Sequence, residues 1–94
     1  MMVKLEVLSR DSAFNNGVIK DNFRTMQLSV NTNSIISVSP SAQRIDEVDG
    51  RSASNMNFTE IVYSMGSSTQ TITVLGEYGT VLRSLRDSRK LLHG

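Results

Sequence analysis

The residues best suited to chemistry sit near the end of the chain. Arg83, Arg86 and Lys90 are spaced i, i+3 and i+7, which puts them on one face of a helix, with Arg89 beside them. Residues 79–94 carry four basic side chains and one acid, a net charge of +3. The preceding 78 residues carry six basic and eight acidic side chains, a net charge of −2. Guanidinium groups grip phosphates and carboxylates through two parallel hydrogen bonds, so this face could hold a small anion or an acidic protein partner. The same pattern also arises on a solvated helix face whose cations merely suit the C-terminal dipole. Arg51, in a loop farther up the chain, joins these four as the fifth candidate binding residue.

Other constellations carry less. Gly76-Glu77-Tyr78-Gly79-Thr80 leads into the helix, and amides at a helix N-terminus can bind an anion. The spacing fits neither a P-loop nor a dinucleotide fingerprint, and Glu77 would repel phosphate; a tight turn accounts for both glycines. Asp46-Glu47-Val48-Asp49-Gly50 gathers three carboxylates in four residues but lacks the alternate spacing and downstream Glu of a calcium loop. Solvated loop charge is the simpler reading. Serines and threonines are plentiful, yet no base is placed to activate one. The single histidine, His93, neighbours the final glycine, where a catalytic imidazole has no fixed partner. With no cysteine, thiolate metal sites, disulfides and cysteine nucleophiles are excluded. No catalytic residue, metal ligand or cofactor site is expected.

The elements that must position these residues read as strands first and one helix last. Val3, Leu5 and Val7 alternate with Lys4 and Glu6, as in a half-buried strand. Asn15-Asn16-Gly17 can supply the two positive φ values of a hairpin turn, with Phe14, Val18 and Ile19 extending its arms; a surface loop over 10–22 is the alternative. Met26, Leu28 and Val30 mark another strand, and residues 34–39 a shorter one ended by Pro40. Ile45 and Val48 lie three apart, with Gly50 able to close a last turn, so 40–49 reads as a short helix inside an irregular excursion over 40–57. Ile61, Tyr63 and Met65 face Ile72 and Val74 across a turn at Gly66-Ser67-Ser68-Thr69. From Thr80, taken as N-cap, the period changes to that of a helix, with Val81, Leu82, Leu85 and Leu92 as its apolar stripe.

The 94 residues are enough for one domain with a modest core. Fourteen serines, seven threonines and seven asparagines favour strands and turns over helix. No apolar run exceeds three residues, so no transmembrane helix is expected, and charges at Lys4 and Glu6 argue against a signal peptide. A cytoplasmic location follows as the expectation. A net charge of +1 argues against coating nucleic acid by bulk electrostatics.

Three segments together resemble a known family: Lys4-Leu5-Glu6-Val7-Leu8, the stretch from Met26 through Asn31-Thr32-Asn33 to Val38, and Thr71-Ile72-Thr73-Val74 followed by a helix. They are similar to the small bacterial and phage proteins related to the flagellar protein FlbD. The likeness covers about two-thirds of the chain as hydrophobic pattern. Residues 10–22 and 40–57 have no counterpart in it. It implies a compact β-rich domain and, for a phage-encoded member, a role such as inhibiting a host factor or sequestering a host nucleotide. It implies no catalytic residues.

The expected fold is therefore α+β: a small, mainly antiparallel sheet of four to five strands with one C-terminal amphipathic helix. Such a sheet has too little chain to bury both Ile61/Tyr63/Met65 and Phe58/Val62, so pairing with copies of itself is expected. The expected function is a non-enzymatic binding module that takes a host protein or a small anionic, nucleotide-like ligand. Nucleic-acid binding through the basic helix, or a structural subunit role, are the alternatives.

Overall fold

The computed structural model describes residues 2–93, and for residues 13, 15, 20 and 87–93 the backbone alone. Its main element is a five-stranded antiparallel sheet in the order β2-β1-β7-β6-β3, followed by a C-terminal helix. Strands β1 (Met2–Asn15) and β2 (Val18–Asn31) form one long hairpin. Asn16 and Gly17 both take positive φ, 52° and 78°, as a two-residue turn matched to strand twist requires. That turn sets a register running unbroken from Asn15↔Val18 to Met2↔Asn31. A 3-10 turn at Thr32–Ser34, capped by the Asn31 side chain, leads to β3 (Ile35–Pro40). Strands β6 (Phe58–Met65) and β7 (Ser68–Leu75) form the second hairpin, and α1 spans Tyr78–His93.

Neighbouring residues in these strands belong to different cores, because successive side chains point to opposite faces. Val7 and Val74 join Ile61, and Val81 and Leu85 of α1, on one face of the sheet. Leu8 and Leu75 lie against Ile45, Val48, Ala53 and Phe58 on the other. The second face is thus covered by the chain's own residues 41–57. The expectation of an uncovered face, which motivated self-pairing, is corrected here: Phe58 is buried within the chain.

That covering segment is not a helix. Residues 40–49, expected to form one, instead end β3 at Pro40, run irregularly, and enter a two-stranded ribbon of β4 (Glu47–Val48) and β5 (Arg51–Ser52). Asp49 and Gly50 take φ values of 53° and 74° and make its turn. Asp-Gly is the hairpin signal that outweighed the three-residue spacing of Ile45 and Val48. Both of those side chains are buried anyway, from extended backbone. Residues 10–22 are strand on both sides of Asn16-Gly17, which decides for the hairpin and corrects the alternative of a loop excursion there. The second turn is shorter than expected, Gly66-Ser67, so β7 begins at Ser68.

The joint between β7 and α1 is built on backbone. Thr59, with no exposed surface, donates its hydroxyl to the Gly76 carbonyl at 2.9 Å, and the Gly76 amide donates to Asn57 at 2.9 Å. The helix is capped by Glu77 rather than Thr80. Its carboxylate accepts from the amides of Gly79 (2.9 Å) and Thr80 (3.1 Å) and from the Thr80 hydroxyl (3.2 Å).

Both sheet edges are blunted, by different means. β3 has a register irregularity between Ile35 and Ser37 and ends on Pro40. On β2, Asp49 lies alongside like a fragment of strand. Its amide donates to the Phe23 carbonyl at 2.9 Å, and its carboxylate accepts from the amide (3.1 Å) and hydroxyl (2.8 Å) of Thr25.

Candidate functional site

The β1–β2 ribbon leaves the body of the sheet. Between β1 and β7 there is one residue pair, Val7↔Val74, so beyond Leu8 the ribbon is not paired with β7 on that side. The chain measures 55 × 33 × 20 Å and has a radius of gyration of 14.9 Å. A compact domain of this length would have about 12 Å, and the projecting arm accounts for the elongation.

The arm's described charges are satisfied within it. Arg10 pairs with Asp21 at 2.6 Å, and Ser12 donates to the same carboxylate at 2.8 Å. Those two contacts hold the Asp21 carboxyl below its ordinary pKa, the Ser12 hydrogen bond foremost. Arg24 pairs with Asp11 at 2.5 Å. Since Arg10, Ser12 and Asp21 alternate onto one face and Asp11 and Arg24 onto the other, each face carries its own cross-strand pair.

At the tip the chemistry changes. Phe14 and Ile19 stand opposite each other and are 75% and 69% exposed; Val18, beside them on the other face, is 64% exposed. Three large apolar side chains on one exposed tip, with no covering element, are unusual for a small domain and characteristic of an interaction surface. The sequence left these residues either on the arms of a hairpin or in a surface loop. It could not show that the hairpin outruns the sheet, because that depends on where β1 and β7 part.

Of the five candidate binding residues, the described ones, Arg51, Arg83 and Arg86, are not brought to one place. Arg83 and Arg86 are exposed on α1, and Arg83 lies close enough to Glu77 to help lower its pKa, after the Gly79 and Thr80 amides. The side chains of Arg89 and Lys90 lie outside the described residues. Arg51 is on β5, in the segment covering the sheet face opposite α1, beside a groove it shares with Glu6, Thr25 and Asp49. Among the described residues, a single pocket using Arg51 together with Arg83 and Arg86 is therefore not formed.

The amides that could have bound an anion at the start of α1 are occupied by the Glu77 carboxylate. Two further grooves flank residues 40–58; one, of about 410 Å³, is lined by Arg44, Ile45, Asp46, Ala53, Met56 and Phe58 among others. Among the described residues no group of three or more His, Asp or Glu comes together, and no helix is long and apolar enough to cross a membrane. No protein-family model, curated protein or solved structure matches the chain.

Proposed function

We propose that the protein is a non-enzymatic binding module whose recognition element is the projecting β1–β2 arm. The exposed Phe14, Val18 and Ile19 at the tip of that arm carry the reading. Burying a side chain of this size is worth about 1.5–3 kcal/mol, so the tip gains substantially from a protein surface and gains nothing from water. The arm's arginines are already paired with Asp11 and Asp21, which disfavours nucleic acid as its target. The module is read as a homo-oligomer in the cytoplasm; the tip bears only on its target, for which a protein surface fits best.

Arg83 and Arg86, exposed on one helix face, favour a second contact with an anionic or acidic partner. Such a contact is open and surface-bound rather than a pocket for a sequestered nucleotide.

The test is a photo-crosslinking phenylalanine analogue at position 14, irradiated in the expressing cell. A specific protein adduct at 14 that is absent with the analogue at Met65, which is also exposed, is the expected result. Equal labelling at the two positions would remove the arm from the function.

A further inference from the structure

We infer that the partner of the arm is a second copy of this chain, joined by antiparallel pairing of the outer edge of β2 about a two-fold axis at Ile19. This rests on the reading of the arm as the recognition element and names its occupant.

The turn makes Asn15 and Val18 the hydrogen-bonded pair that closes the hairpin. Alternation then points the backbone groups of Ile19, Asp21, Phe23 and Thr25 away from β1. The contacts of Asp49 agree with this phase, since it meets the Phe23 carbonyl and the Thr25 amide. Among the described residues nothing pairs with the outward groups of Ile19 and Asp21. One short stretch of open edge is left, flanked by exposed apolar side chains, with neither proline nor bulge to guard it and with its two charges, Lys20 and Asp21, of opposite sign.

Charge and obstruction select the register. An axis at Lys20 would set lysine opposite lysine, and an axis at Asp21 would set aspartate opposite aspartate, both unfavourable. Farther along, Asp49 blocks the edge at Phe23. An axis at Ile19 sets the two isoleucines opposite each other and Asp21 opposite Gly17 of the second copy. Phe14, which neighbours Ile19 on the same face, then flanks that pair from each side. A strand paired antiparallel with itself is two-fold symmetric, so one surface serves both partners and the assembly closes at two. The three apolar side chains expose roughly 400 Å² per copy, about half of the ~800 Å² each partner buries in a standard interface. Association on so small an area is therefore weak and depends on concentration.

Sedimentation equilibrium should show a monomer–dimer transition with a dissociation constant on the order of 10 µM. Ile19→Lys should raise it at least about tenfold, while Ile36→Lys on the opposite sheet edge leaves it unchanged; both sites are exposed, so both variants keep the parent melting curve. Because the chain has no cysteine, Ile19→Cys gives a second readout. Residues opposed in a hydrogen-bonded pair stand about 5.5 Å apart at Cα, within disulfide reach. Mild oxidation should therefore yield disulfide dimers far faster than with Met65→Cys. A chain that stays monomeric up to about 500 µM, or Ile19→Cys that cross-links no faster than Met65→Cys, overturns the self-pairing. In that event a specific adduct at position 14 to another protein would still leave the arm as recognition element, so the two failures are distinguishable.

Discussion

Asp49 ties the β4–β5 turn to the edge of β2 through one exposed side chain. Replacing it with alanine removes the acceptor for the Thr25 amide and hydroxyl, at 3.1 and 2.8 Å, and leaves the Asp49 backbone contact to Phe23 in place. Exposure lets water replace both bonds, so together they account for about 1 kcal/mol. Alanine at a φ of 53° adds about 1 kcal/mol, because aspartate tolerates the left-handed region and alanine does not. The total of about 2 kcal/mol corresponds to a fall in Tm of roughly 8–16 °C for a domain this small. Asp49→Asn keeps the turn and an oxygen for the Thr25 amide, so it should cost no more than about 0.5 kcal/mol. Urea unfolding followed by circular dichroism, with hydrogen exchange at the Thr25 amide, measures both. A double-mutant cycle with Thr25→Val should return coupling that Asp49→Asn largely preserves. If Asp49→Ala is as stable as the parent, or Asp49→Asn as damaging as alanine, then the edge of β2 is not held by this side chain.

Other substitutions test the joint and the second core. Gly76→Ala should cost about 3 kcal/mol in urea melts, because a φ of 135° is closed to alanine and its Cβ would lie 3.0 Å from Val81 Cγ2. Phe58→Ala should cost about 3–5 kcal/mol and raise hydrogen exchange at Ala53, whose amide bonds Asp46, before it affects β1. The Glu77 carboxyl is held below its ordinary pKa by the Gly79 and Thr80 amides, so its stabilising contribution is complete at neutral pH. That contribution fades as the pH falls through the carboxylate range and is gone below the depressed value. Glu77→Gln should flatten the acid limb of a stability–pH profile; an unchanged limb would mean the cap contributes nothing.

Local chemistry made most elements legible before any packing was known. Alternation marked β1, β2, β6 and β7, and Asn16-Gly17 marked the first turn, because period two and positive φ are properties of a few adjacent residues. The helix was legible from Val81 and Leu85, and both prove buried. Asp49-Gly50 carried the same turn signal as Asn16-Gly17. It was misread because Ile45 and Val48 also satisfy a helical spacing, and a segment lying flat on a sheet can bury residues at any spacing. Glu77 was read as repelling an anion at the helix start, and its carboxylate is itself the anion there.

The candidate site divides in the same way. The sequence by itself determined that the chain lacks thiols, that its net positive charge gathers in the last sixteen residues, and that Phe14, Val18 and Ile19 flank an Asn-Gly step able to turn a hairpin. Only the tertiary structure decided that Arg51 and the helix arginines serve opposite faces, since strand parity and chain path place them, not spacing. It alone decided that the hairpin becomes an arm, because β1 and β7 meet at one residue pair and then part. Exposure of the apolar tip follows from that parting: the strands are long by local propensity, but what covers them is set by residues far along the chain, as Val74 is from Val7.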